Sequence, residues 1–412
     1  MRSKKLKSFL ERKPLYYKEI DHERIHTAYD ILKSHIKRPE TVHIVGTNGK
    51  GSTGRMIAHL AYQQGIRNEK LEMKNYSVGH YSSPHILKFN ERIWIDGSDA
   101  SDEVLEEAHQ KLFAILGKEM SDVLSYFEYT TLLAFVVFEH CDLMVLEAGL
   151  GGEFDATNVC DKELSVITPI GIDHQSFLGD TIEEIAATKI RSIQKKALLA
   201  PQMYNEVVQI AKEITHTVGA EIFFNEKSEM RNEKFLSIAK ANGWPAYLIE
   251  NASVAMQALD ILHISYDSND LNTLKLFGRF YALRENIRID VGHNPLAAKA
   301  MVQALHEKVV LIYNSLDDKE YEEVLQLLKP KVKRVEIIEI DSQRATTLDD
   351  IEKALISVGL PYSTFNGALD ADESYLVFGS FYTVEAFLKY RVKEGTGTVN
   401  SFTEEVVLPK QV

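Results

Sequence analysis

The chain has 412 residues, of which 45% are hydrophobic and 26% are charged, which is typical of a globular protein with two domains. Its 60 acidic and 47 basic residues give a formal net charge of -13, which argues against a nucleic-acid-binding or membrane-binding surface. Two cysteines exclude a disulfide scaffold and a cysteine-based zinc site, and no apolar run near the amino terminus is long enough for a signal peptide. We therefore expect a cytoplasmic protein with neither a nucleic-acid nor a membrane partner.

Short apolar runs separated by amphipathic stretches predict an α/β fold. The first group is TVHIVG, DLMVLEAG and LSVITPIG, and the second is NIRIDVG, VVLIYNS, VKRVEIIEI and YLVFGS. Strands that are apolar on both faces predict a mostly parallel sheet covered by helices on both sides. The region from Ile182 to about Leu262, between the groups, is predicted to be helical. With the boundary placed at residues 280–286, the predicted domains are residues 1–280 and a smaller, Rossmann-like domain of residues 286–412.

The run HIVGTNGKGST is typical of a phosphate-binding loop (P-loop). Val42–Val45 are predicted as a strand and Ser52–Gln64 as a helix that Gly65 ends, with the glycine-rich stretch between them. Glycines allow backbone N–H groups to surround a phosphate, the start of the helix adds positive partial charge, and Lys50 neutralises phosphate oxygens. This predicts an ATP-binding domain, and a plain glycine turn is the alternative. Gly51 stands where an ordinary P-loop has Ser or Thr.

Two further polar side chains follow predicted strands. Glu147 closes the run LMVLE before a glycine-rich segment, and His174 follows LSVITPIG. Ligands of open α/β sheets bind at the carboxyl edge, so Glu147 is expected there beside the P-loop, where its carboxylate can hold Mg²⁺. Each residue also has a structural interpretation, as a solvated glutamate at a strand end and as a structural histidine.

A helix is predicted from about Asp180, with a capping box formed by Thr181 and Glu184. The apolar face of this helix contains Ile182, Ile185, Ala186, Lys189 and Ile193. In one interpretation the Lys189 ammonium extends past the apolar surface into water. In the other, burial lowers the pKa of Lys189, and the neutral amine adds CO₂ to form an anionic carbamate that can bind a metal.

The ordered set of motifs resembles the folylpolyglutamate synthase and dihydrofolate synthase family of the Mur ligase superfamily. The motifs, as they stand here, are GTNGKGS (46–52), SSPHILKFNERI (82–93), YFE (126–128), LEAGLGGEFDATN (146–158), DHQSFLGDT (173–181), GRF (278–280), DVGHNP (290–295), DK (318–319) and VFGSFYTV (377–384). They cover nearly the whole chain.

The resemblance implies site residues. Two Mg²⁺ ions would be held by Ser83, Glu147 and His174, with a carbamylated Lys189 supporting the second ion. ATP would be bound by Gly49, Lys50, Gly51, Ser52, Asn251, Arg279 and Asp290, with His293 near the phosphates. The pterin acceptor would lie against Ser125, Tyr126, Phe127, Glu128, Phe154, Asp155 and Ala156. Lys50, Lys189 and His293 are the expected catalytic residues, and Gly51 leaves the metal to other residues.

The implied activity is ATP-dependent ligation of L-glutamate. ATP would phosphorylate a carboxylate of 7,8-dihydropteroate or of a reduced folate, and the glutamate amine would attack the acyl phosphate. Because ATP groups would come from both domains, closure is expected to precede chemistry. The alternatives are a folylpolyglutamate synthase alone, a P-loop kinase or nucleotide switch, and a non-catalytic ATP-binding module.

The chain departs from the family pattern at three places. Glu153 replaces an arginine after LGG, TKIRSI (188–193) replaces EKAGI, and NEKLEMKNYS (68–77) resembles an insertion. If Glu153 faces the glutamate tail of the acceptor, its charge disfavours long tails, so short products are expected. No dimer seam is visible, and a monomer is expected.

Overall fold

The structure is a computed structural model that describes residues 5–14, 21–70, 76–225 and 233–393. Residues 71–75 of the segment NEKLEMKNYS lie outside the described residues. The helices are α1 (Leu6–Leu10), α2 (His22–Leu32), α3 (Lys50–Lys70), α4 (Asp102–Val123), α5 (Tyr126–Val137), α6 (Gln175–Leu178), α7 (Ile182–Ile190), α8 (Asn205–Val218), α9 (Glu233–Ala241), α10 (Ala246–Ile261), α11 (Pro295–Ala304), α12 (Tyr321–Leu328), α13 (Leu348–Val358) and α14 (Phe381–Lys393). The strands are β1 (Glu40–Val45), β2 (Val78–Tyr81), β3 (Ile93–Ile95), β4 (Ser98–Asp99), β5 (Leu143–Glu147), β6 (Leu164–Ile167), β7 (Lys196–Leu199), β8 (Glu221–Phe224), β9 (Tyr281–Arg284), β10 (Ile287–Ile289), β11 (Val309–Tyr313), β12 (Val332–Ile337), β13 (Tyr362–Thr364) and β14 (Tyr375–Phe378).

The chain forms two compact units. Unit 1 consists of the described residues within Met1–Gly171, Leu178–Ile238 and Glu250–Leu274. Unit 2 consists of Ile172–Phe177, Ala239–Ile249 and the described residues from Lys275 onward. Two short segments that precede residue 275 therefore belong to unit 2. The functional domains of residues 1–280 and 286–412 remain a prediction.

Unit 1 contains an eight-stranded sheet with the order β4-β3-β2-β5-β1-β6-β7-β8. Strands β3 and β4 are antiparallel to their neighbours, and the other six strands are parallel. Because β1 lies between β5 and β6, the chain leaves β1 toward one side of the sheet and later returns to its other side. This reversal of strand order places a ligand crevice at the carboxyl ends of these strands.

Strands β1 and β5 are buried along nearly their whole length, so the parallel sheet predicted from runs apolar on both faces is confirmed. The prediction of helix throughout the region from Ile182 to about Leu262 is wrong in part, because β7 and β8 extend the sheet there. Parallel pairing with β6 gives β7 its backbone hydrogen bonds, and β8 pairs with β7 in turn. Tertiary pairing of this kind overrides the weak local preference of four-residue runs.

Helix α3 begins at Lys50 and continues to Lys70, so the prediction that Gly65 ends it is wrong. The backbone of Tyr76 packs against Gly65, where an added Cβ would lie 3.2 Å from the carbonyl carbon and from the nitrogen of Tyr76. Gly65 therefore permits close packing inside the helix and does not act as a stop signal.

Unit 2 contains a six-stranded sheet with the order β13-β12-β11-β14-β10-β9. All pairs are parallel except β9 with β10. Its core includes Leu311, Val335 and Leu376 from the sheet, with Leu325 of α12 and Leu355 of α13 packed in the same cluster. The four strands predicted in the second group are confirmed as β10, β11, β12 and β14. None of the helices in the described part of the chain combines the length and apolarity needed to cross a bilayer.

Candidate nucleotide-binding and ligase site

The loop between β1 and α3 has the backbone that its glycines permit. Gly46 has φ +145° and Gly49 has φ +88°, values that residues with a Cβ rarely adopt. The N–H groups of Thr47 and Asn48 donate to the carbonyl of Pro169 at 3.0 and 3.2 Å, which ties the loop to the segment after β6. The first turn of α3 follows directly, and the start of a helix presents its N–H groups to an anion.

Lys50 extends back over this loop. Its Nζ donates to the carbonyl oxygens of Gly46 at 3.1 Å and of Thr47 at 3.3 Å. These carbonyl oxygens are uncharged acceptors in the loop just before α3. A phosphate in the loop would be a stronger acceptor for the same ammonium, because charge-assisted hydrogen bonds are the stronger kind.

Asn251 of α10 is fixed against the loop. Its side-chain amide donates to Ser52 Oγ at 2.7 Å, and Ser52 Oγ donates to the Gly49 carbonyl at 3.1 Å. Asn251 and Ser52 are both buried, and a Cβ on Gly49 would lie 2.8 Å from Asn251 Oδ1. Unit 1 thus brings Asn251 to the predicted loop residues Gly49, Lys50, Gly51 and Ser52, although 199 positions separate Asn251 from Ser52 in the sequence.

Glu147 ends β5 in the pairing register that places it beside Ile44 of β1. The side chain is buried at 5% exposure, and its Oε2 accepts from the backbone N–H of Ser83 at 3.4 Å. Unit 1 therefore brings the Ser83 backbone and the Glu147 carboxylate together. A serine hydroxyl and a carboxylate are hard oxygen donors of the kind that Mg²⁺ prefers.

Lys189 is enclosed by unit 1. The residue is 4% exposed on α7, whose buried face also contains Ile185, Ala186 and Ile190, and the predicted capping box at the start of this helix is confirmed. A Cβ on Gly152 would lie 2.9 Å from the Lys189 Cα, so the glycine-rich loop after β5 packs on this part of the helix. The burial favours the buried-amine interpretation over an ammonium in water. The carbamate stays a prediction.

Two of the predicted acceptor residues have structural roles. Ser125 caps α5: its Oγ accepts from the Glu128 N–H at 3.0 Å, and the Glu128 carboxylate accepts from the Ser125 N–H at 2.6 Å. Arg24 of α2 donates two hydrogen bonds to the same carboxylate, at 3.1 and 3.0 Å. The sequence did not reveal the pairing of Arg24 with Glu128, since 104 residues separate the two partners. The pair joins the amino-terminal region to the start of α5.

Tyr126 and Phe127 open α5 on an aromatic surface. The guanidinium of Arg92 lies 5.4 Å from the Tyr126 ring centroid, and Phe127 packs against Tyr81 at 6.0 Å between centroids. A Cβ on Gly149 would lie 2.6 Å from the Phe127 ring, so the glycine allows the loop after β5 to approach this side chain. The surface suits a planar aromatic ligand.

The loop after β5 carries the remaining acceptor residues. Phe154 is 55% exposed, and Ala156 is buried. Asp155 is buried too, and burial raises its pKa, although hydrogen bonds from the N–H groups of Leu150 and Thr157 at 2.8 and 2.9 Å act in the opposite direction. Asp155 therefore shapes the loop, and Phe154 is the side chain of the three that is open to a ligand.

Asp290 follows β10 in unit 2 and is buried, which raises its pKa. Its Oδ2 accepts from the Tyr247 hydroxyl and from the Phe280 N–H, and its Oδ1 accepts from the Gly292 N–H, each at 2.8 Å. The guanidinium of Arg279 lies 5.2 Å from the centroid of the Phe381 ring. Unit 2 thus gathers the predicted residues Asp290 and Arg279 around the GRF turn.

Asp173 is the residue that sequence reasoning missed in unit 2. Its carboxylate accepts from Lys319 Nζ at 2.7 Å and from the Asn294 side-chain amide at 3.2 Å, and His293 Nε2 lies 3.7 Å away. His174 Nε2 lies 3.5 Å from Lys319 Nζ. Burial raises the pKa of Asp173, but the neighbouring charges of His293, His174 and Lys319 outweigh it and hold the pKa well below its usual value.

The predicted residues His174 and His293 are therefore neighbours of one buried ion pair. His174 also has φ +54°, a backbone conformation that is uncommon outside glycine and concentrates at functional sites. The motifs DH (173–174) and DK (318–319) were the only sign of this ion pair in the sequence. A separation of 146 residues between Asp173 and Lys319 leaves no periodic pattern that could pair them.

Across the described residues, no group of three or more His, Cys, Asp or Glu side chains is arranged to hold a metal ion. The predicted ligand set contains only two such side chains, Glu147 and His174, with the Ser83 hydroxyl as the third ligand. Ser83 and Glu147 lie in unit 1, and His174 lies in unit 2.

The fold and these residues define a P-loop nucleotide-binding protein with a second, mostly parallel α/β unit. No family model matches the chain. The dihydrofolate synthase/folylpolyglutamate synthase of Escherichia coli (strain K12) is 30% identical over 378 residues, which cover 84% of this chain and 85% of that protein. The crystal structure of Helicobacter pylori folylpolyglutamate synthetase is 36% identical with a TM-score of 0.74, covering 94% of this chain and 98% of that chain.

A third similar protein is the bifunctional folylpolyglutamate synthase/dihydrofolate synthase of Yersinia pestis in complex with AMPPNP and a Mn ion. It is 25% identical with a TM-score of 0.77, covering 93% of this chain and 96% of that chain. The chain belongs to the dihydrofolate synthase/folylpolyglutamate synthase family. The resemblance inferred from the motifs is thereby confirmed.

Proposed function

We propose that this chain is an ATP-dependent ligase that adds L-glutamate to 7,8-dihydropteroate and to reduced folates. The observation that carries the proposal is the register of β1 and β5, which places the buried Glu147 beside the strand that leads into the P-loop. A phosphate-binding loop and a carboxylate are the parts needed to hold a nucleotide with a divalent ion. Family membership supplies the reaction and both acceptors.

ATP is the co-substrate. In unit 1 the proposed contacts are Gly49, Lys50, Gly51, Ser52 and Asn251, and in unit 2 they are Arg279 and Asp290, with His293 near the phosphates. Lys50 now donates to two backbone carbonyls and would exchange them for phosphate oxygens. Ser52 is engaged with Asn251 and Gly49, which suits the inference that residues other than those of the loop hold the metal.

The enzyme uses a divalent metal ion, and we propose that it is Mg²⁺, bound as two ions. Ser83 and Glu147 fit the first ion, because the Ser83 backbone contacts the buried Glu147 carboxylate, and a carboxylate and a serine hydroxyl are hard oxygen donors. His174 is the proposed third ligand, and a carbamylated Lys189 supports the second ion. When bound, the ions would supply positive charge that offsets the charge of the phosphates.

The chain's own residues prepare the reaction. The first turn of α3 and Lys50 hold and neutralise the β- and γ-phosphates, so that the acceptor carboxylate can attack the γ-phosphorus. That attack releases ADP and forms an acyl phosphate. The glutamate amine then attacks the acyl carbon, an amide bond forms, and inorganic phosphate and one proton leave. We infer that the two domains close before these steps, since excluding water from the active site protects the acyl phosphate from hydrolysis.

The acceptor site that we propose is formed by Ser125–Glu128 and Phe154–Ala156. The pterin ring would pack on the Tyr126 and Phe127 surface and on the exposed Phe154. The segment KEIDHERI (18–25) partly resembles the family segment for dihydropteroate, and its residues 18–20 lie outside the described residues. Arg24 of this segment contacts Glu128, which supports a role in acceptor binding.

The deciding experiment measures ADP release from ATP and Mg²⁺, with and without L-glutamate, for dihydropteroate and for tetrahydrofolate as acceptors. We expect glutamate-dependent release with both acceptors. Release with tetrahydrofolate alone would reduce the activity to folylpolyglutamate synthesis, and release that does not need glutamate would favour a kinase or nucleotide switch. We further propose a monomer in the cytoplasm, which light scattering and fractionation would test.

A further inference from the structure

Two departures from the family pattern meet in the structure. Glu153, which replaces the arginine after LGG, lies with its Oε2 at 3.3 Å from a terminal nitrogen of Arg191, which belongs to the altered segment TKIRSI. We propose that Arg191 is a specificity-determining residue that binds carboxylates of the glutamate tail of the folate acceptor. The proposal rests on the proposed function. In this chain the positive charge is carried by the end of α7, and the loop after β5 contributes the partner carboxylate.

The path of the loop after β5 supports a position for the glutamate tail beside Arg191. At Gly149 the loop packs on Phe127, in the proposed acceptor site, and at Gly152 it packs on the backbone of Lys189, in the proposed reaction site. The next residue, Glu153, donates its N–H to the Thr188 carbonyl at 2.8 Å. The loop therefore runs from the acceptor helix to the end of α7. A tail that extends from a pterin toward the reacting carboxylate follows the same direction.

The ion pair leaves Arg191 available to an anion. The side chain of Arg191 is 55% exposed and that of Glu153 is 29% exposed, so water screens the pair and its net contribution to stability is small. The Glu153 carboxylate contacts one terminal nitrogen at a distance longer than that of a strong charge-assisted hydrogen bond. A guanidinium has five N–H donors, so it can keep this partner and still bind a tail carboxylate.

Helix α7 fixes where the charge lies. Arg191 is the capping residue directly after the end of α7, and its N–H donates to the Ala187 carbonyl at 3.0 Å. A cation is favoured at this position because the carboxyl end of a helix carries negative partial charge. Glu153 holds the guanidinium toward the loop. Glu153 is thus not an isolated anion at the tail site. Its charge alone led us to expect that it disfavours long tails, and the pairing with Arg191 weakens that repulsion.

The two acceptors allow a test within one enzyme, because dihydropteroate has no glutamate tail and tetrahydrofolate has one. We would measure KM and kcat of the full chain for dihydropteroate, tetrahydrofolate and its diglutamate, with Arg191→Ala and Arg191→Lys. We expect Arg191→Ala to raise KM for the two tailed acceptors by about three- to tenfold and to change KM for dihydropteroate by less than about twofold. Arg191→Lys should raise KM for the tailed acceptors less than Arg191→Ala does, because lysine keeps the positive charge. Added salt should reduce the difference in KM between wild type and Arg191→Ala.

Lys195→Ala is the matched control. Lys195 pairs with Glu163 at 3.1 Å with side-chain exposures of 58% and 25%, close to those of the Arg191 pair, in the same unit. It should leave all three KM values unchanged. An unaltered KM for tailed acceptors in Arg191→Ala, or an equal rise for dihydropteroate, would overturn the proposal.

If Arg191→Ala is unstable, Glu153→Gln gives a second reading, because it releases the guanidinium from its carboxylate and should lower KM for the diglutamate. An unchanged or higher KM in that variant would also count against the proposal. Failure of the wild type to release ADP in a glutamate-dependent manner would instead contradict the proposed function.

Discussion

The ammonium of Lys319 lies 2.7 Å from the carboxylate of Asp173, and side-chain exposures of 4% and 7% show that both charges are buried in unit 2. A buried charge costs several kcal/mol unless it is paired, so each residue makes the burial of the other tolerable. His293 and the Asn294 amide surround the same carboxylate. The pair therefore determines the local arrangement of the histidines on either side of it.

We predict that Asp173→Asn lowers the free energy of unfolding by about 3 kcal/mol, because it leaves the Lys319 ammonium buried without its counter-charge. Asp173→Asn/Lys319→Met should recover part of this loss, since the double variant removes both charges. Urea unfolding followed by circular dichroism measures the free energy of unfolding of the single and the double variant. Lys389→Met, which removes an ion pair whose lysine is 60% exposed, should change the value by less than about 0.5 kcal/mol. A double variant less stable than Asp173→Asn would contradict this interpretation.

Lys50→Ala should reduce turnover by roughly a thousandfold or more while the protein stays folded, because the charge acts on the β- and γ-phosphates of the reacting complex. Glu147→Ala should be comparably damaging through the metal. Steady-state kinetics and circular dichroism are the measurements, with Lys33→Ala as a control, since Lys33 is 57% exposed in its pair with Asp30. Near-normal turnover in a folded Lys50→Ala protein would remove Lys50 from its proposed role.

Lys189 is predicted to carry a carbamate, because its amine is enclosed on the buried face of α7. The adduct should appear as electron density beyond Nζ in nucleotide-bound crystals grown with bicarbonate. Lys189→Ala should lose activity and regain part of it when a short carboxylate is added. Density that ends at the amine, together with no rescue, would contradict the prediction.

Glu163 should contribute stability that acid removes. Burial raises the pKa of Glu163, but hydrogen bonds from Arg38, the Thr41 N–H and Lys195 outweigh it and lower the pKa to about 2. A lowered pKa means that the contribution is complete above the ordinary value of 4.5 and is lost as the pH falls toward 2. Because water screens this partly exposed group, only part of the pKa shift counts as stability, so Glu163→Gln should be less stable than wild type by about 1–2 kcal/mol near neutral pH. The difference in stability should narrow below about pH 4.5. A gap that is constant with pH would show that the carboxylate charge is not responsible.

Both ligations should occur, and Glu153→Arg should lengthen the products made from tetrahydrofolate. Two charges about 8 Å apart interact by roughly 2 kcal/mol at an effective dielectric near 20, and the Arg191 guanidinium offsets part of the repulsion between Glu153 and a tail carboxylate, so the gain should be smaller than this figure. Chromatography of products from dihydropteroate and tetrahydrofolate measures this. Equal chain lengths in Glu153→Arg and wild type would show that Glu153 does not act on the tail.

The sequence was sufficient for the class of fold and for the elements that carry the nucleotide loop. Patterns of local origin made this possible: a strand apolar on both faces, a glycine loop, and a capping box at Thr181 and Glu184 are each set by residues a few positions apart. Strands β7 and β8 escaped prediction because four-residue runs gain their structure from the neighbouring strand. The interpretation of Gly65 failed because the reason for the glycine, the approach of Tyr76, lies outside the helix.

The candidate site shows the same division. Helical periodicity placed Lys189 on the apolar face of its helix but left open whether its ammonium reaches water, which the 4% exposure of the residue decides. The position of Glu147 at the end of a strand could be predicted. The contacts of Arg24 with Glu128 and of Arg191 with Glu153 could not, because they join segments 104 and 38 residues apart. No single-sequence pattern records which distant charges will face one another. Three of the predicted acceptor residues, Ser125, Glu128 and Asp155, cap or shape their own segments.

The membership of Ile172–Phe177 in unit 2 has a consequence for synthesis of the chain on the ribosome. Asp173 leaves the ribosome 146 residues before Lys319. At elongation rates of about 5–20 residues per second, the aspartate waits roughly 7–30 s for its partner lysine. The Asp173–Lys319 ion pair of unit 2 therefore cannot form until the chain has been synthesised as far as Lys319. A fragment that starts at residue 286 would lack Asp173. Cleavage at that point should therefore release a carboxyl-terminal piece whose Lys319 has lost this counter-charge and which is less stable than the complete unit 2.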